Sequence, residues 1–213
     1  MQSLALLHEA LFYPDATISD SLHRFDLEED IARQNRGLKK IRTYIRSRGR
    51  KTEFELALLD AYNVFMKQAA LVEERIGKED FSALYNDIES KRQFAHGDFQ
   101  YHNLLFGKEK AAVVNFEKCQ WDSRVRDVAL FLRKTLEKAD WNLELGNALL
   151  KEYEEYNPLT ESEKRQLFYR LAYPEKFRKI ANFYYNSNKA FLSEQYMAKL
   201  QNILRLEHSK KKF

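Results

Sequence analysis

The segment that decides the fold is His96-Gly97-Asp98-Phe99-Gln100-Tyr101-His102-Asn103. Asp98 and Asn103 are five residues apart, which is the spacing found in the catalytic loops of phosphoryl-transfer enzymes. In such loops the Asp accepts the proton of the attacking hydroxyl, and the Asn supplies a neutral oxygen to Mg²⁺. The pattern therefore predicts Asp98 and Asn103 as catalytic residues, with Asn103 also binding the metal and its nucleotide.

A second candidate ligand set follows the loop. Residues 93–95 predict a short lead-in strand, and residues 103–106 and 111–116 predict a hairpin with a turn at 107–110, so that segment 93–117 would hold the whole site. A second metal ligand is expected at the end of this hairpin, where the usual residue is Asp and this chain has Asn115. Glu117 would lie on the same face of that strand and is the candidate for compensating for the missing carboxylate. Full replacement is not expected, because its longer side chain projects from a different backbone point. We therefore expect Asn115 to bind the metal, and Asn115 and Glu117 to contribute to the cofactor site.

The same residues also allow a structural interpretation. Gly97 would make a turn, while Asp98 and Asn103 would bond to nearby backbone groups. Asn115 would be a polar residue at a strand end, and Glu117 a solvated acid. The order of strand, loop, hairpin and amphipathic helix favours the chemical interpretation, because a short motif gains weight from its structural context.

Further matches to one family run nearly from end to end. The chain carries an H-G-D-x-x-x-x-N loop at 96–103, a strand related to V-I-D-F-D/E at 113–117 and a D-x-A-x-x-L-R-K helix start at 127–134. Shorter matches lie at 4–8, 156–159, 172–177 and 182–186. With these residues the chain resembles the spore-coat-associated branch of the aminoglycoside and choline phosphotransferase-like superfamily, which is protein-kinase-like.

The resemblance implies the C-terminal lobe of the kinase-like fold, mainly α with a small β-hairpin. It implies Mg²⁺ and ATP as cofactors, bound weakly or not at all by this chain. His96 and Asp127 would be structural supports, with Asp127 accepting backbone N–H groups of the loop. From the sequence alone, Asp127 is an acid in the first turn of a helix, where the helix dipole favours it.

The N-terminal lobe of the relatives is expected to be absent. In those relatives a glycine-bearing loop and a strand lysine hold the ATP phosphates. The six glycines of this chain form no G-x-G, and no V-A-I-K-like strand precedes His96. An exposed interlobe surface is then expected around Ala95, Leu104, Val114 and Phe116, and it would favour self-association.

Composition predicts a helical protein with one core. The 213 residues are 44% hydrophobic and 32% charged, which suits a single domain spanning 1–213. Besides the hairpin, the patterns predict helices at 2–12, 27–48, 124–138, 143–156, 161–171, 174–189 and 194–208, and one that begins at the Thr52 capping box and ends at Gly77. No apolar run is long enough for a membrane span and no signal peptide is evident, so cytoplasmic synthesis is expected, with the spore coat as the destination that the resemblance implies.

Two main hypotheses for function remain. One is a kinase-fold protein with impaired catalysis, a pseudokinase that acts as a structural or interaction component with spore coat proteins as partners. The other is an ATP-dependent phosphotransferase for small hydroxyl compounds, truncated or split from its N-terminal lobe. A minor third hypothesis is a basic helix that binds nucleic acid or an anionic surface, because nine Lys and Arg residues crowd the segment 33–51. No nucleic-acid motif accompanies that segment, so a nucleic-acid partner is not expected.

Overall fold

The computed structural model describes residues 1–12, 24–108, 111–187 and 194–212. Over these residues the chain is mostly helical, with two small antiparallel sheets. The helices are α1 (Gln2–Ala10), α2 (Leu27–Ser47), α3 (Glu53–Ile76), α4 (Ser82–Lys91), α5 (Val125–Leu136), α6 (Leu143–Tyr156), α7 (Glu161–Ala172), α8 (Glu175–Asn186) and α9 (Glu194–Lys210). The strands are β1 (Phe94–Ala95), β2 (Leu104–Phe106), β3 (Ala111–Val113) and β4 (Gln120–Trp121). The mainly α prediction with a small hairpin is confirmed.

The chain divides into two compact units. The loop unit comprises Met1–Asp26 and Asp80–Leu171, and the helical unit comprises Leu27–Glu79 and Ala172–Lys212. The sequence did not indicate this division, because no linker rich in glycine or proline separates the two. Whether the chain is one folding domain stays a prediction.

In the loop unit the two sheets flank the candidate loop. β1 pairs with β4, with Phe94 opposite Trp121, and β2 pairs with β3, with Leu104 opposite Val113. Helix α5 packs against β1 and α6, and α6 packs against α1. The start of α5 is therefore held beside the strand that leads into the loop.

The helical unit packs α2 against α3 and α8, and α9 against α3 and α8. Aromatic rings fill its core. Phe177 of α8 stacks on Phe65 at 4.8 Å and meets Tyr62 edge-on at 4.9 Å. The capping box at the start of α3 is confirmed, since Thr52 Oγ1 accepts the N–H of Glu55 and the Glu55 carboxylate accepts the N–H of Thr52.

Most predicted helices are present, and four details differ. α4 and β4 were not predicted. α1 ends at Ala10 rather than at residue 12, because Phe12 leaves the helix to form a β-bridge with Gln93. The predicted helix over 174–189 is helical as Glu175–Asn186, and residues 188 and 189 lie outside the described part, as do residues 109 and 110 of the predicted turn.

The predicted strand at 111–116 is too long. β3 ends at Val113, and Asn115 has a left-handed backbone with φ of 67° that no continuing strand adopts. Phe116–Lys118 then forms a 3₁₀ turn. The expectation that Glu117 shares a strand face with Asn115 is therefore wrong.

Candidate active site

Asp127 holds the first two residues of the loop. It lies in the first turn of α5 and is completely buried. Its Oδ2 accepts the backbone N–H of His96 at 2.6 Å, and its Oδ1 accepts that of Gly97 at 2.7 Å. Both donors are amides that a buried loop must satisfy, so one side chain fixes the direction in which the loop leaves β1.

His8 supports Asp127 from behind. Its Nε2 lies 3.3 Å from Asp127 Oδ2, and its Nδ1 lies 2.7 Å from the Tyr153 hydroxyl. Burial lowers the pKa of His8 even though Asp127 acts to raise it, so the ring is neutral near pH 7. A carboxylate accepts only, and the neutral ring therefore donates from Nε2 to Asp127 and accepts at Nδ1 from Tyr153.

His96 is a structural residue of the loop. Its side chain is fully buried, and its ring lies 4.6 Å from that of Phe116. Nδ1 accepts the backbone N–H of Asp98 at 3.2 Å, while Nε2 donates to the carbonyl of Val114 at 3.0 Å. Both ring nitrogens are bonded to the backbone, which ties the loop to the residue that follows β3.

Gly97 is required by a close backbone approach. Its φ is +77°, in the region that glycine adopts most readily. A Cβ at this position would lie 2.1 Å from the carbonyl oxygen of Lys118. The loop and the 3₁₀ turn at Phe116–Lys118 are therefore packed backbone to backbone.

Asp98 is engaged by cationic and polar side chains. The Lys118 ammonium lies 2.7 Å from its Oδ2, and the Gln100 amide donates to its Oδ1 at 3.0 Å. Burial acts to raise the pKa of Asp98, but the bond from Lys118 and the charges of Lys118 and Lys134 outweigh it and hold that pKa below its usual value. Lys134 of α5 donates in turn to the Gln100 side chain, and burial lowers the pKa of Lys134. The Asp98 carboxylate thus already has a cationic partner.

Asn103 and Asn115 contact each other directly. The Asn103 amide donates to the main-chain carbonyl of Asp98 at 2.8 Å, and its Oδ1 accepts from Asn115 Nδ2 at 2.9 Å. The carbonyl can only accept, so Asn103 must turn its nitrogen toward Asp98 and its oxygen toward Asn115. The orientation of both amides follows from that one carbonyl.

The remaining predicted positions are more dispersed. Glu117 is exposed on the 3₁₀ turn. Over the described ranges, no three His, Cys, Asp or Glu side chains are grouped as a metal site would require.

Of the expected interlobe surface, Ala95 is fully buried and Phe116 is 42% exposed. Ala95 was therefore wrong as a member of an open surface, because it lies under the loop in β1, whereas Phe106 of β2 is 76% exposed and was not predicted.

The sequence reasoning missed three side chains of this site. Lys118 and Lys134 contact the Asp98 group, and His8 contacts Asp127. Lys134 and His8 stand within the family motifs at 127–134 and 4–8, which was the only available signal. Lys118 lies outside those motifs, and the only signal for it was its position directly after Glu117.

The fold and the loop define a kinase-like protein with the architecture of an aminoglycoside phosphotransferase. The crystal structure of aminoglycoside phosphotransferase from Alicyclobacillus acidocaldarius subsp. acidocaldarius DSM 446 matches 99% of this chain with a TM-score of 0.83. The match covers 61% of that chain, and the sequence identity is 21%, so the likeness establishes the fold alone.

The family is established by sequence. Residues 40–213 match the family model described as "Spore coat putative kinase YutH", and the chain belongs to this family. It is also 30% identical over 160 residues to spore coat protein S of Bacillus subtilis (strain 168), a match that covers 70% of this chain and 45% of that protein. The chain therefore spans less than two thirds of the length of spore coat protein S and of the Alicyclobacillus aminoglycoside phosphotransferase. The resemblance drawn from the motifs is confirmed.

The family and the relative from Bacillus subtilis are both described as spore coat proteins. In the part of the chain that the structure describes, no helix has both the length and the apolar character needed to cross a membrane.

Proposed function

We propose that this chain is a kinase-fold component of the spore coat in which the phosphoryl-transfer site is held closed by its own side chains. The observation that carries the proposal is the bond from Asn115 Nδ2 to Asn103 Oδ1. The bond places an N–H donor, rather than a second oxygen ligand, beside the oxygen that a metal would need, at the position where the sequence predicts the metal site.

The donor set does not fit Mg²⁺ in this arrangement. Mg²⁺ prefers anionic oxygens in tight octahedral geometry, and both amides are neutral. An Asp at position 115 would turn carboxylate oxygens toward Asn103 Oδ1 and would have no proton to donate, so it would favour a cation between the two side chains. The amide of Asn115 instead joins them directly. The side chains present at these two positions therefore do not supply an anionic Mg²⁺ site.

The contact of Lys118 with Asp98, the predicted proton acceptor, also supports a closed site. A general base has to present a free carboxylate oxygen to the attacking hydroxyl, and here Asp98 Oδ2 is 2.7 Å from the Lys118 ammonium. The lowered pKa of Asp98 also makes it a weaker base. The loop retains its shape, and its main acid is partnered from within the chain.

The alternative function is an ATP-dependent phosphotransferase that acts on a hydroxyl compound and completes its nucleotide site with a separate N-terminal lobe. One observation favours it. Asp127 still accepts the N–H groups of His96 and Gly97, so the loop that presents Asp98 and Asn103 is fully braced. Under this alternative the contacts of Asn115 and Lys118 would open when nucleotide and metal arrive.

Calorimetry tests the closed-site proposal. The purified chain is titrated with MgCl₂, ATP and their mixture, and Asn115→Asp is titrated in parallel as the matched variant. We expect no saturable heat for the unaltered chain and a Mg²⁺ isotherm only for Asn115→Asp. A saturable micromolar isotherm of ATP and Mg²⁺ with the unaltered chain would overturn the closed-site proposal.

A further inference from the structure

The charge of this chain is divided unevenly between its two units. The segments of the helical unit carry 21 Lys and Arg against 12 Asp and Glu, whereas those of the loop unit carry 15 against 20. The net charge of +4 for the whole chain therefore conceals a strongly basic unit and an acidic one. Such asymmetry favours contacts between unlike units of different molecules.

The basic charge is concentrated on one side of α2. No Asp or Glu occurs from residue 31 to residue 52. We define the cationic ridge as the four exposed side chains Arg36, Lys39, Lys40 and Arg46. Their spacing places them within one stripe of the helix, and the stripe is about 15 Å long at 1.5 Å per residue.

The ridge has no carboxylate partner among the residues that the structure describes. Two neighbouring cations do have carboxylate partners: Arg33 pairs with Asp30, and Arg48 pairs with Glu55 at 2.9 Å. Inward-facing positions of α2, such as Leu38 and Ile45, are buried in the helical unit. The ridge is thus a row of solvated charges on a rigid, well-packed helix.

A surface of opposite charge lies on α6 in the loop unit. We define the acidic face as the exposed residues Glu144, Glu152 and Glu155. Glu144 and Glu155 form no ion pair with any described residue, and Glu152 lies 3.6 Å from the Met1 amino group. The distance along the helix from Glu144 to Glu155 is about 16 Å, close to the length of the ridge. Lys151 lies on the same side and is the one opposing charge there.

We propose that the cationic ridge of one copy of this chain docks on the acidic face of a second copy. The two rows match in length and have opposite charges. Ala148 is exposed between the acids, and a Cβ placed at Gly37 beside the ridge would meet nothing within 4 Å, so both helices have small residues where backbones would come closest. The contact joins two different surfaces, so it is heterologous and allows assemblies larger than a dimer.

The contact is weak and salt-sensitive. Exposed ion pairs individually contribute little to binding, so we expect a dissociation constant of about 0.1 to 1 mM. Screening at high salt removes most of the attraction. The proposal concerns helices α2 and α6, so it is independent of the closed catalytic site and does not depend on the exposed hairpin.

Sedimentation velocity with charge-swapped variants tests the contact. The unaltered chain should show a rising weight-average mass with concentration at about 25 mM NaCl and should return to 25.4 kDa at about 500 mM. Lys39→Glu/Lys40→Glu and Glu144→Lys/Glu155→Lys should each be monomeric at low salt. An equal mixture of these two variants should associate again, because the unaltered ridge of the Glu144→Lys/Glu155→Lys variant can dock on the unaltered acidic face of the Lys39→Glu/Lys40→Glu variant.

A matched control separates this contact from a general effect of charge. Lys67→Glu/Arg75→Glu changes the net charge of the helical unit as much as the ridge variant does, at exposed positions of α3. It should associate like the unaltered chain. The proposal is overturned if the unaltered chain is monomeric at low salt, if the control loses association as fully as the ridge variant, or if the mixture stays monomeric. Binding of a short DNA duplex through the ridge by a monomeric chain would assign the ridge to nucleic acid instead.

Discussion

The side-chain nitrogen of Asn115 lies 2.9 Å from Oδ1 of Asn103, so the two residues that the motif places as metal ligands are hydrogen-bonded to each other. The bond links the end of the loop to the residue that opens the 3₁₀ turn. Asn115 also adopts a left-handed backbone. An asparagine at this position therefore serves twice: its side chain donates an N–H, and its backbone tolerates a positive φ.

Asn115→Asp should convert this bond into a repulsive contact between oxygens. We expect the free energy of unfolding to fall by about 1 to 2 kcal/mol without metal, because a bonded amide oxygen of Asn103 loses its donor. Millimolar MgCl₂ should restore part of that loss in the variant and leave the unaltered chain unchanged, since a ligand that binds only the folded state stabilises it. Urea unfolding with and without MgCl₂ measures both effects.

Asn115→Gly is the control for the backbone. It keeps the left-handed conformation and removes the side chain, so it should be insensitive to MgCl₂. If Asn115→Asp is as stable as the unaltered chain and does not respond to MgCl₂, the amide pair has no influence on a metal site.

Lys118→Met should raise the pKa of Asp98 toward its ordinary value, because the variant removes the nearest cation from the carboxylate. In the unaltered chain the lowered pKa of Asp98 contributes stability that is present above its ordinary pKa and lost as the pH falls through the lowered value. The variant should lose less stability on acidification over that window. Lys118 is 61% exposed, so the difference at neutral pH should stay below about 1 kcal/mol.

Carbon-detected NMR titration of the Asp98 carboxyl measures this change. Lys138→Met is the matched control, because Lys138 lies 4.2 Å from the centre of the Tyr101 ring and is not bonded to Asp98. A pKa of Asp98 that is the same in the Lys118 variant and in the unaltered chain would show that the ion pair does not form in solution.

Asp127→Asn tests the brace of the loop. An amide has one acceptor oxygen, so only one of the two N–H groups of His96 and Gly97 can keep its bond, and the NH₂ group faces the other donor. Loss of a buried, charged acceptor should lower the free energy of unfolding by about 2 to 4 kcal/mol. Denaturant unfolding measures this loss, and hydrogen exchange at the two amides should accelerate beyond the global change. Equal acceleration throughout the loop unit would show that Asp127 has no particular role in the loop.

The sequence predicted the parts of the site that are encoded locally. The spacing of Asp98 and Asn103 and the position of Asp127 at a helix start are visible in short stretches. Lys118 and His8 are brought to the site by the tertiary fold, 20 and 119 residues away from the groups that they contact. No spacing rule connects such positions.

Two local signals were also outweighed. The apolar run before Asn115 favoured a continuous strand, although Asn is one of the few residues that adopt positive φ readily. Helix α4 buries only Leu84 and Ile88, so its periodic signal was too weak to identify it. Long helices with a full apolar stripe, such as α3, were found with correct ends.

His8 should make the loop unit acid-sensitive. Burial lowers its pKa in the folded chain, whereas in the unfolded chain it returns to about 6.5. Below that value the unfolded state binds a proton that the folded state does not, so stability falls as the pH decreases and is fully present only above it. Protonation of the folded chain would place a second proton on a ring whose Nδ1 accepts from Tyr153, which breaks that bond.

His8→Gln should therefore be less stable at pH 7.5 and should lose less stability between about pH 7 and pH 5 than the unaltered chain. Urea unfolding across this range, with the exposed His102→Gln as the control, measures the slope. A slope that His8→Gln leaves unchanged would mean that another group carries the acid sensitivity, and the assignment of a neutral His8 between Tyr153 and Asp127 would then be wrong.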